Sequence, residues 1–171
     1  PGRYLNRSYN FTIPSIDITS PVLVRTRFGA ISYSGYSGVS VLANGTSVMN
    51  TSISAVGTTY SDPVTKSVDQ TQAVTITSSN LNLNVSFTKG SSSAAGYLDF
   101  IEINARRNLV FNGYVNFADW NAVGAGQIAS YQLQNANANT QVWDISNPLS
   151  PLRMTSSFTG SVLSFNQDAS S

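Results

Sequence analysis

The chain has 171 residues, of which only 10% are charged, with a formal net charge of +1; an average soluble domain carries roughly 25% charged residues. Nine basic residues, scattered along the chain, leave no footprint for nucleic acid. The absence of cysteine and histidine excludes disulfides, thiolate zinc sites, and Ser-His-Asp or Cys-His catalysis within these residues. Hydrophobic residues make up 41%, and Ser, Thr, Asn and Gly fill much of the rest. That composition suits an exported β-domain hydrated without charge.

The segment from Gly2 to Asn10 is polar with aromatic interruptions, and no apolar run of about 18 residues occurs anywhere. Neither a signal peptide nor a membrane-inserting segment is read here, so the chain is expected to be a piece of a longer secreted precursor. Val22 to Phe28 reads as a central strand, with Arg25 and Arg27 on one face. Tyr33 and Tyr36 follow in Ser-Tyr-Ser-Gly-Tyr-Ser-Gly, an exposed loop. With Trp120 and Trp143 they leave two alternatives, a stacking platform for sugars or ordinary core or rim packing; Tyr33, Tyr36 and Trp120 are the candidate ligand or partner contacts.

Asn44-Gly45 lies between two alternating apolar runs and predicts a type I′ hairpin, whose two central residues need positive φ. Ala73 to Thr77 reads as a rough strand. Leu81, Leu83, Val85 and Phe87 alternate with Asn82, Asn84 and Ser86, which predicts a half-buried strand. Lys89 to Gly96 is a small-residue loop followed by a strand, the wrong order for a phosphate loop. Leu98 to Ile103 is apolar on both faces and reads as a central strand. Asp99 and Glu102, three apart, fall on opposite faces of a regular strand and read as surface acids.

Arg106 and Arg107 end that strand, and Leu109 to Tyr114 reads as the next. Phe117 to Val123 allows one helical turn. Gln127 to Leu133 and Gln141 to Ile145 read as strands, with Trp143 expected to be buried. Asn147-Pro148 stops the last one, because proline lacks a donor and restricts its predecessor, and Pro151 keeps the chain extended. Short strands separated by turn residues predict an all-β protein, a single antiparallel β-sandwich of jelly-roll type over residues 1–171. Less than about a tenth of the residues are expected in helix, against a usual third. No cofactor or metal site is read.

Two segments carry a family resemblance. Gly96-Tyr-Leu-Asp-Phe-Ile-Glu-Ile-Asn-Ala-Arg-Arg-Asn-Leu109 and Gln141-Val-Trp-Asp-Ile-Ser-Asn-Pro-Leu-Ser-Pro151 are similar to stretches of the PorU family. These are the sortases of the type IX secretion system of Bacteroidota, relatives of the gingipain cysteine peptidases. The resemblance implies a β-rich region upstream of the peptidase domain, exposed at the cell surface. Its partners would be the catalytic domain of the same chain, and other secretion-system proteins or cargo. The family's catalytic Cys and His have no counterpart here, so no catalytic role carries over. A carbohydrate-binding module and an adhesive structural domain are the alternatives.

Overall fold

The computed structural model describes residues 5–169. It is all-β and antiparallel, and among the described residues the one helical element is a 3-10 turn at Trp120–Ala122. No helix there is long and apolar enough to cross a membrane.

The sequence reading places one sandwich over residues 1–171. The chain instead divides into two compact units, Pro1–Arg107 and Asn108–Ser171. The physical reason is that two separate apolar clusters form, one on each side of Arg107.

The first unit is the sandwich. Its strands are β1 (Asn6–Thr12), β2 (Val22–Ile31), β3 (Ser37–Ala43), β4 (Thr46–Ile53), β5 (Lys66–Val74), β6 (Asn80–Thr88) and β7 (Ala95–Asn104). One sheet runs in the order β1, β6, β3, β4 and the other β5, β2, β7. Val22, Val24, Thr26, Phe28 and Ala30 of β2 point inward, and Leu23, Arg25 and Arg27 point out. Leu81, Leu83, Val85 and Phe87 of β6 are all buried from the opposite sheet. Each such side chain contributes about 1.5–3 kcal/mol by leaving water. A slip of one residue would expose all four, so the alternation fixes the register.

Asparagine does structural work on the outer face of the first sheet. Asn82 donates to Asn10, Asn84 donates to Asn82 at 2.7 Å, and Ser8 donates to Asn84 at 2.6 Å. The hairpin turn is as expected, with φ of 46° at Asn44 and 85° at Gly45. The Asn44 side chain also reaches β6, accepting from the Asn82 amide at 2.9 Å and donating to the Asn80 carbonyl at 3.2 Å.

Several strand expectations are corrected. Leu98–Ile103 lies in β7 at a sheet edge, while β2 takes the centre. β5 ends at Val74, so Ala73–Thr77 is mostly loop. β7 ends at Asn104, two residues before Arg106; Arg107 makes an isolated bridge to Ile16 and its Nε donates to the Pro14 carbonyl at 2.7 Å.

The second unit contains β8 (Ile128–Leu133), β9 (Trp143–Asp144), β10 (Leu152–Arg153), β11 (Ser156–Thr159) and β12 (Val162–Asp168). β11, β12 and β8 form one sheet, and β9 pairs with β10. Leu133, Ala136, Leu163 and Phe165 make its core. Leu109–Tyr114, expected as a strand, is irregular apart from a bridge between Val110 and Gln134. Gln141–Ile145 contracts to the two residues of β9.

Candidate functional site

The concave feature of interest lies wholly within the second unit. It is a cleft of about 770 Å³, inside the roughly 300–1,000 Å³ range of small-ligand sites. Phe111, Tyr114, Phe117 and Trp120 enter it from the irregular segment before β8. The four recur at every third residue. Tyr131 of β8 and Phe165 of β12 stack at 5.4 Å, with Phe117 edge-on to Tyr131 at 5.2 Å. This cluster is fixed by the sheet, because Tyr131 and Phe165 are paired neighbours across β8 and β12.

Trp120 is 82% exposed and Trp143 50%. Both line the cleft. The expectation that Trp143 is a buried core residue is therefore corrected. β9 and β10 are two residues each, and so short a ribbon brings no layer over the indole. Ile145, on the same side, is 51% exposed.

Asp119, Asp144 and Asp168 also line the cleft. Asp144 Oδ1 accepts from the Ser146 amide at 2.9 Å, and Oδ2 accepts from Gln167 Nε2 at 3.0 Å. These bonds, the Ser146 amide first, hold the Asp144 carboxyl below the usual carboxylate range. Asp144 thus stays ionised at neutral pH. Just beyond it, Asn147 accepts from the Leu149 amide at 3.1 Å and its carbonyl accepts from the Ser150 amide at 3.0 Å. Asn147, Pro148 and Pro151 lie in the connection between β9 and β10.

Tyr33 and Tyr36 are exposed, in the loop between β2 and β3 of the first unit. The loop is tightly held: a Cβ on Gly35, whose φ is 71°, would sit 2.6 Å from the Gly90 carbonyl oxygen. The four candidate aromatics thus divide into a tyrosine pair in one unit and a tryptophan pair in the other.

Asp99 and Glu102 do share a face, contrary to the regular-strand expectation. A bulge opposite Arg27 and Phe28 inserts Asp99 into β7 as an unpaired residue and reverses the alternation. Asp99 then lies 3.6 Å from Arg27, and Glu102 lies 3.7 Å from Arg25. Each carboxylate faces a guanidinium on an exposed sheet surface, an arrangement that contributes little to stability. No group of three His, Cys, Asp or Glu able to hold a metal occurs among the described residues.

The sequence reading missed the cleft and its carboxylates. The one signal available was the aromatic at every third residue from Phe111 to Trp120, a spacing that belongs to no strand.

The geometry defines an antiparallel all-β protein with an aromatic-lined cleft in its second unit. Its fold is that of a PorU-like domain: it superposes on the crystal structure of dimeric latent PorU from Porphyromonas gingivalis with a TM-score of 0.74 and 15% identity, over 96% of this chain. The chain spans 16% of that PorU chain. A carbohydrate-binding module, CBM36 in complex with calcium and xylotriose, aligns over 58% of this chain and 72% of its own, with 18% identity and a TM-score of 0.38. The insecticidal delta-endotoxin Cry8Ea1 from Bacillus thuringiensis aligns over 57% of this chain and 17% of its own, with 18% identity and a TM-score of 0.41. No family model and no curated protein matches the chain.

Proposed function

We propose that this chain is a non-catalytic β region of a type IX secretion system sortase, a surface-exposed gingipain-like cysteine peptidase and transpeptidase. In this reading it acts as a scaffold or docking surface for the catalytic domain of the same chain, for cargo, or for other secretion-system proteins. The observation that carries the reading is the superposition on PorU over 96% of the chain. The two resembling segments, Gly96 to Leu109 and Gln141 to Pro151, support the same reading. A nucleophile needs a base, a lowered pKa or a metal to activate it, and the sequence holds neither cysteine nor histidine. The role therefore works through surface shape, with Tyr33, Tyr36 and Trp120 as exposed partner contacts. The carbohydrate-binding alternative draws on the same exposed aromatics.

The parent open reading frame tests this reading. It should continue downstream of these residues into a peptidase domain with a Cys–His pair. A parent built of tandem β-domains without one would replace the sortase reading with the adhesive one.

A further inference from the structure

Charge is segregated along this chain. Asn108–Ser171 carries three acids, Asp119, Asp144 and Asp168, and a single base, Arg153. All three acids line the cleft, and Arg153 does not. No lysine or arginine lines it at all. The remaining eight bases lie in the first unit, so the positive net charge of the whole chain conceals an acidic cleft.

The rest of the lining is aromatic. Tyr114, Trp120 and Trp143 are at least half exposed, with polarisable faces open to solvent rather than covered by core. An indole face attracts a cation, and a carboxylate bonds an ammonium or guanidinium more strongly than it does a neutral hydroxyl. A neutral sugar would use the rings but gain little from three like charges held in one cleft. An anion would be repelled. We infer that the cleft binds an extended peptide segment presenting a lysine or arginine side chain flanked by apolar residues. The cationic head would lie between the indole faces and the Asp144 side of the cleft. The aliphatic stem and its apolar neighbours would lie on Phe117, which is exposed and backed by the Tyr131 and Phe165 rings. Asp144 is anchored at both of its oxygens, each accepting from a separate donor. This inference deepens the docking reading by naming the partner's chemistry, but it is tested on the isolated chain and does not depend on the parent's identity.

The two tryptophans of the chain both line the cleft, so intrinsic fluorescence reports on it directly. The probes are end-blocked pentapeptides Gly-Val-Xaa-Val-Gly, with Xaa lysine, arginine, norleucine or glutamate, and cellohexaose as a neutral sugar. The lysine and arginine peptides should shift the emission saturably, and the norleucine peptide should bind at least about tenfold more weakly. Calorimetry on Asp144→Asn should show a loss of about the same size for the lysine peptide and little change for norleucine. Affinity for the lysine peptide in the unaltered protein should also fall with rising ionic strength, which keeps the test independent of how the variant folds. Equal binding of lysine and norleucine peptides, saturable binding of cellohexaose in place of the peptides, or no binding by any probe up to about 1 mM would each overturn the inference.

Discussion

Phe28 of β2 and Phe87 of β6 stack across the two sheets of the first unit, with ring centroids 5.5 Å apart. Gly96 of β7 closes over both rings: a Cβ there would sit 2.7 Å from Phe87 and 2.8 Å from Phe28. Phe87→Ala should destabilise the chain by about 3–5 kcal/mol, the usual cost of emptying an aromatic core site. Gly96→Ala should cost about 1–3 kcal/mol through overpacking. Urea unfolding followed by circular dichroism measures both, and a neutral Gly96→Ala would mean that the rings are not held as described.

Trp143→Ala should behave differently. The indole is half exposed, so its removal should cost no more than about 1–1.5 kcal/mol, roughly half of a full burial. The same substitution should weaken binding of the lysine peptide. A loss of stability as large as that of Phe87→Ala would place Trp143 in a core after all.

Gly45→Ala isolates a backbone cost. Its φ of 85° lies in the left-handed region, and a Cβ there would meet nothing within 4 Å. The expected destabilisation is about 1–2 kcal/mol, from conformation alone. Asn44→Ala should cost at least as much, since the side chain also bonds to β6 at Asn80 and Asn82. Chemical denaturation of the two variants side by side checks the order.

Acid should unfold the chain where neutral pH does not. Four carboxyls are held below the usual range: Asp17 by the Thr19 hydroxyl, Asp62 by the Thr59 hydroxyl, Asp69 by Arg25, and Asp144 by the Ser146 amide. A carboxyl of lowered pKa stabilises the fold above the unfolded value near ~3.9, and that contribution is lost as pH falls through the folded value. With no histidine to titrate, the melting temperature should stay level from about pH 5 to 8 and decline below about pH 4. Asp69 is exposed and the other three are only partly buried, so solvent screening keeps the decline gradual. A stability midpoint near pH 6–7 would contradict this.

The sandwich is legible where period two is strict and one face is dry. β6 is the clear case, because four apolar residues at alternate positions admit a single register. The hairpin at Asn44-Gly45 is legible because its φ values admit few residue types. The bulge at Asp99 is not, since an extra residue is defined only against the partner strand. Trp143 misleads because an indole signals apolar area without saying whether a second layer exists to cover it. The boundary at Arg107 carries no Gly or Pro, and its short polar run Asn104-Ala-Arg-Arg-Asn108 reads as an ordinary turn, so the second core appears only when the apolar residues are seen to form two clusters. The cleft is assembled from irregular backbone and three separated aspartates, which no local period records.

Under the proposed function, these residues serve a sortase without doing its chemistry. The most direct measurement is cargo processing in a sortase-deficient strain complemented with the parent gene lacking residues 1–171, its expression verified by immunoblot. Cargo cleavage and surface attachment should be impaired although the parent's catalytic Cys and His remain in place. Normal cleavage and attachment by a well-expressed deletion would contradict the scaffold and docking role.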